Sequence, residues 1–218
     1  DPLSRTCDFM LKEEAHHMFV GASGVGRVAQ RTAQLMAQHD TTDVAPYGGI
    51  NLDTLQRYIN FHFAVSLDLF GSERSTNAAN YYAAGLKGRY KEDSYADHQA
   101  LDQAYRMSVP RDGTVVEEDV PLRNAMNEVL RDAYVDDCQR GVDRWNKTLE
   151  KAGLPQRLRL PHKRFSRHIG LYAGLPFDPD GRLLRREEWD RGCHQWLPTA
   201  EDRAYIATLQ KAVTTPGQ

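Results

Sequence analysis

Cysteine is scarce in this chain: Cys7, Cys138 and Cys193 are odd in number, far apart and never in a Cys-x-x-Cys pair. That excludes a disulfide framework and a structural zinc site, and it fits a reducing cytoplasm. Neither charge sign is in excess. The 28 Lys and Arg face 30 Asp and Glu, a formal net charge of −2, so there is no whole-chain electrostatic footprint for nucleic acid. No apolar run reaches the roughly 18 residues a membrane helix requires, and no signal-peptide pattern is visible. Repeats and low-complexity tracts are missing too. With 218 residues, 40% of them hydrophobic, a single buried core is within reach. One helical domain over residues 1–213 is expected, with a disordered tail at 214–218.

What the chain does have is helical periodicity. The spacing predicts a helix over 3–20, a break at Gly21-Ala22-Ser23-Gly24, and a second helix over 25–39. A polar, turn-rich loop follows to Gly49. Leu55, Ile59, Phe63, Leu67 and Phe70 then mark a largely buried helix, with Asn51 or Asp53 available as its cap. Residues 76–86 read as another helix and 87–97 as a charged irregular stretch. Pro110-Arg111-Asp112-Gly113 separates two short β-prone runs, 105–109 and 114–118, the pattern of a small hairpin. Residues 122–152 form the longest helical candidate, closed by Gly153 and Pro155. Helices over 186–195 and 199–213 finish the chain, the latter capped by Thr199 with Asp202 three residues on. The turn at 178–181 lacks the spacing of a calcium loop.

The densest chemistry lies in Glu13-Glu14-Ala15-His16-His17, a doubled Glu-x-x-His flanked by Phe9-Met10-Leu11 and Met18-Phe19-Val20. Residues three apart on a helix project to one side, so a carboxylate and an imidazole can reach one ion together. At about 100° per residue, Glu14 and His17 align with Leu3, Cys7 and Met10, opposite Ser4, Arg5, Asp8 and Lys12. Glu13 and His16 fall on the flank. A carboxylate on the apolar face needs a partner, and iron or manganese in a helical bundle supplies one. With 8 His and 11 Glu in the chain, roughly 0.4 such matches arise by chance. A Glu/His pair hydrogen-bonded in a core is therefore the competing reading.

Ferritin-like di-iron proteins draw inward-facing carboxylates from four helices, two of which carry Glu-x-x-His. The run 13–21, together with Gly-Val-Gly-Arg-Val (24–28), Phe-Ser-Arg-His-Ile-Gly (165–170) and Trp-Leu-Pro-Thr-Ala-Glu-Asp-Arg (196–203), resembles the oxygenase components of the benzoyl-CoA 2,3-epoxidase family. The likeness covers nearly the whole chain. It implies the C-terminal half of a ferritin-like bundle, with 1–86 as the bundle part and 87–213 as an extension. It also implies two iron ions with Glu14 and His17 among their ligands. Glu13 stands at the acid behind them, and His16 where an Arg is usual. The implied reaction epoxidises the ring of benzoyl-CoA with O2, using electrons from a separate reductase that carries NADPH and flavin. Family members are about twice this length, with the first Glu-x-x-His helix and the other ligands upstream, so the missing N-terminal half is itself an expected partner. The alternatives are another ferritin-like oxidase, such as a phenylacetyl-CoA epoxidase, and a non-catalytic helical module that binds CoA esters or a partner protein.

A second cluster is basic: Arg157, Arg159, His162, Lys163, Arg164, Arg167 and His168. Arginine forks suit the pyrophosphate and 3′-phosphate of coenzyme A, so Lys163, Arg164, Arg167 and His168 are candidate substrate-binding residues. The competing reading is a solvated loop, or ion-pair partners for acidic helices. Asp68 is a candidate buried carboxylate. His62 reads as a hydrogen-bonded core residue, and His194 has no partner at metal-site spacing. Gly24-Val25-Gly26-Arg27-Val28-Ala29 matches a dinucleotide fingerprint, but a helix precedes it where a strand is required, so close helix packing around a turn is the expected role.

Overall fold

Helix α1 runs unbroken over Pro2–His39. The structure, a computed structural model, describes residues 2–75, 77, 80, 81, 84 and 101–209. The break expected at 21–24 does not occur, and residues 24–29 lie within the helix rather than around a turn. Each interior glycine costs about 1 kcal/mol against alanine, but packing outweighs the sum. Ala29, Ala33 and Met36 recur on one face and are buried. The Trp145 indole N–H also donates to the Ala22 carbonyl at 3.1 Å. The first half of α1 is open: Leu3, Phe9, Met10, Leu11, Met18 and Phe19 are each more than half exposed.

A 3-10 turn at Ala45–Tyr47 precedes α2, Leu52–Asp68. Asn51 spends its side chain on this loop, accepting from the Val44 N–H at 2.7 Å and donating to Asp43 at 3.0 Å. Leu55, Phe63 and Leu67 are buried as their spacing predicts, but Phe61, His62 and Val65 face outward, so the helix is amphipathic rather than largely buried. His62 is thus exposed, between the rings of Tyr58 and Phe61, and not in the core.

Strands β1 (Ala104–Arg111) and β2 (Thr114–Pro121) pair antiparallel, Arg111 opposite Thr114. Both turn residues, Asp112 and Gly113, have positive φ, 48° and 77°, as a two-residue Asp-Gly hairpin requires. The hairpin is longer than expected because Pro110 lies in β1, where a two-stranded ribbon tolerates its missing N–H. Its inward Met107, Val109 and Val120 pack on Ala125.

Helix α3 spans Met126–Lys151 after a 3-10 turn at Leu122–Asn124. It ends in a Schellman motif: Leu154 N–H donates to Leu149 and Gly153 N–H to Glu150, with Gly153 at φ 74°. Helix α4 covers Arg186–Trp196 and α5 Ala200–Leu209. The expected capping box at α5 is present, with Thr199 Oγ1 accepting from Asp202 N–H and Asp202 Oδ2 from Thr199 N–H.

The fold is mainly α with one small hairpin, as expected. By contacts it divides into Asp1–Gln56, Gln139–Arg159 and Thr199–Gln218 as one unit, and Arg57–Cys138 and Leu160–Pro198 as the other. In the first, Thr54 donates to Asp202 at 2.7 Å, and Gln56 and Asn146 each bridge the backbone of the 158–159 segment. In the second, Leu122, Met126, Val129 and Leu130 form a core against Phe70, Leu101 and Tyr105. Most of the helix expected at 76–86, the charged stretch 87–97 and the tail 214–218 lie outside the described residues. Among those described, no helix is long and apolar enough to cross a membrane.

Candidate functional site

Because α1 is continuous, Glu14 and His17 meet one turn apart, with Glu14 Oε1 3.6 Å from His17 Nδ1. Both are solvent-accessible here, 70% and 62% exposed, and the apolar residues in line with them, Leu3 and Met10, are open as well. Glu13 and His16 are exposed beside them, the two imidazole centroids 6.5 Å apart. Among the described residues no three His, Cys, Asp or Glu side chains converge as a metal site. The donor set still suits iron: one carboxylate and one imidazole, on one face and within reach of a common ion.

The basic segment has a different environment. The Arg167 side chain is wholly buried; its Nε donates to Asp68 at 2.7 Å and its Nη1 to Glu73 at 3.0 Å. Asp68, at the end of α2 and 11% exposed at its side chain, also accepts the backbone N–H groups of His168 and Ile169, so it is a largely rather than wholly buried carboxylate. Glu73, wholly buried, accepts from Leu171 N–H at 2.6 Å and lies 3.4 Å from Arg131. Arg131 reaches back to the Gly71 and Leu67 carbonyls and pairs with Glu128, so it closes the C-terminal end of α2. Lys163 bridges Glu128 at 2.6 Å and Asp132 at 2.5 Å, and Tyr105 donates to Asp132 at 2.9 Å. Lys163 and Arg167 are therefore ion-pair partners of helical carboxylates. His168 is 68% exposed beside Asp68. Arg164 lies over the Tyr172 and Phe177 rings, and its Nε is buried without a hydrogen-bond partner.

Burial by itself would raise the Glu128 carboxyl pKa; attraction and hydrogen bonds from Lys163 and Arg131 overcome it, so the group sits below its ordinary value. Lys163 is correspondingly held above its own, against burial, by Glu128 and Asp132. Burial and the Asp132 charge push the Tyr105 phenol up and keep it a donor. Four carboxylates (Asp68, Glu73, Glu128, Asp132) thus meet three cations (Arg131, Lys163, Arg167). Sequence reading found Asp68, Lys163 and Arg167 and missed Glu73, Glu128, Arg131 and Asp132. A usable signal existed, since Glu128 and Arg131 stand three apart around apolar Val129 and Leu130.

His162 gives a pH test. Burial, then the Arg164 and Lys163 charges, lower its pKa from 6.5 to about 4. Between those values the unfolded chain binds more protons than the folded one, so this stability is full above pH 6.5 and is lost as pH falls toward 4. For a half-buried ring, solvent screening limits the loss to about 1–2 kcal/mol. Glu128 titrates below its ordinary 4.5, so its contribution disappears at lower pH. Thermal unfolding should show a falling midpoint between pH 7 and 5 that His162→Gln flattens; an unflattened profile would assign the dependence elsewhere.

No family model matches the chain. Benzoyl-CoA oxygenase component B of Aromatoleum evansii is 46% identical over 222 aligned residues, which take in 100% of this chain and 47% of that protein. The chain spans about half the length of that curated relative. Along its whole length, then, it is a relative of benzoyl-CoA oxygenase component B, as the resemblance of its motifs implied.

Proposed function

We propose that this chain is part of the oxygenase component of a benzoyl-CoA oxygenase. In this reading the complete protein is a ferritin-like di-iron enzyme that epoxidises the aromatic ring of benzoyl-CoA with O2. Its electrons come from an NADPH-dependent flavin reductase, in aerobic benzoate breakdown in the cytoplasm. The observation that carries the reading is the whole-length 46% identity to a protein of that name. The Glu14/His17 pair on a continuous helix supports it.

Glu14 and His17 each contribute one donor to iron, and the other half of the polypeptide contributes the rest. Glu13 and His16 flank the pair, and in this reading they hydrogen-bond the ligating groups once iron is bound. Iron bound there would supply O2 activation, which no side chain offers. The protein's own tasks are to fix geometry and exclude water. The exposed Met10, Leu11 and Met18 suit the second task, since an apolar stripe left open along a helix is one that neighbouring helices cover. For the CoA moiety, His168 is the exposed member of the basic segment and Arg164 is half-buried over the Tyr172 and Phe177 rings, while Lys163 and Arg167 anchor the segment through their carboxylates.

Iron analysis tests the assignment. The polypeptide containing both halves should hold about two irons per chain, and this segment alone fewer. Glu14→Ala and His17→Ala should each lower the iron content and abolish ring epoxidation. Full iron content in both variants would refute the ligand assignment and favour a helical module without metal chemistry.

A further inference from the structure

Around α1 from the metal-ligand pair lies a groove of about 410 Å³, lined by Phe19, Ser23, Arg27 and Gln30 and by Arg144 and Trp145 of α3. At about 100° per residue, positions 19, 23 and 30 fall roughly half a turn from 14 and 17, so the groove is a separate place on the helix. Its volume is in the range of small-ligand sites.

Two features distinguish it. Arg27 and Arg144 are exposed, and among the described residues neither side chain forms an ion pair or hydrogen bond; they share this with Arg5, Arg31 and Arg203 and differ from them in lying together on one groove. Two guanidinium forks flank the groove with no carboxylate in its lining. The Trp145 ring, which lines the same groove, is held by its N–H bond to the Ala22 carbonyl. Guanidinium forks recognise phosphate bidentately, and a fixed indole suits a planar ring. A bare phosphate would leave the indole unused, and an apolar peptide would leave both cations unanswered.

We propose that this groove binds a nucleoside phosphate, with Arg27 and Arg144 on the phosphates and Trp145 against the base. The site goes beyond the oxygenase reading and stands independently of it. It uses neither Glu14 nor His17, and the basic segment assigned to CoA belongs to the other unit of the chain.

Titration calorimetry with ADP tests it. ADP should bind with a Kd below about 1 mM, and inorganic phosphate at least about tenfold more weakly. The double variant Arg27→Ala/Arg144→Ala, with both side chains at the surface, should weaken ADP at least about tenfold at an unchanged unfolding midpoint. Trp145→Phe should weaken it a few-fold, and Arg164→Ala should leave it unchanged. The proposal falls if ADP does not bind, if the double arginine variant binds it equally well, if Arg164→Ala abolishes it, if phosphate binds as tightly, or if only a polyglutamate peptide binds. Loss of ADP binding with iron and epoxidation intact would remove this site and leave the oxygenase reading standing.

Discussion

Arg167→Ala is expected to destabilise the protein by about 3–5 kcal/mol, because it leaves two carboxylates in the interior without their counter-ion. The Arg167 guanidinium meets Asp68 through Nε and Glu73 through Nη1, and its own side chain has no exposed surface. Glu73 is equally buried, so water cannot replace the lost donor. Arg131 remains near Glu73 at 3.4 Å, but it is committed to Glu128 and to the Gly71 carbonyl. Arg167→Lys should recover only part of the loss, since an ammonium cannot make the fork's two directed contacts. Urea denaturation of the wild type and the two variants reads these differences directly. A loss below about 1 kcal/mol for Arg167→Ala would show that the network is solvated and that its charges are not held as described.

This position also shows where the amino-acid order was informative. Helices were legible wherever apolar residues recur at helical spacing, as in α2 and α3, and the hairpin followed from one Asp-Gly turn. Local glycine content misled at 21–26, because the packing of Ala29, Ala33 and Met36 and the hydrogen bond from Trp145 are long-range facts that no window of sequence contains. The buried charges were half legible for a related reason. A cluster rich in Arg and Lys announces itself, but Glu73 is a single acid in a short connection. Nothing near it shows that chain folding will place it under Leu171 and between two arginines. The spacing of the Glu14/His17 pair was legible because it is local: three residues along a helix bring the two groups within 3.6 Å without help from the rest of the fold, whereas the apolar surroundings expected of them are not met here, both side chains being exposed. The groove at Arg27 and Arg144 was not, since its two arginines are 117 positions apart in the numbering and meet only by the packing of α1 and α3.

The second large effect is expected at Gly170. Its φ of 90° lies in the region that L side chains rarely adopt, and a Cβ built there runs into the carboxylate of Glu73. That carboxylate cannot retreat freely: Oε2 accepts from Leu171 N–H at 2.6 Å while Oε1 holds Arg167. Gly170→Ala should therefore incur both the backbone strain and part of the network, a loss of about 3–4 kcal/mol. Gly174 supplies the control, because its φ is 70° and nothing lies within 4 Å of its Cβ position. Gly174→Ala should report the backbone term alone, about 1 kcal/mol. If the collision with Glu73 is the cause, the double variant Gly170→Ala/Arg167→Ala must lose clearly less than the sum of its parts, since both changes displace the same carboxylate. Strict additivity, or equal losses at 170 and 174, would place the damage in the backbone and acquit Glu73.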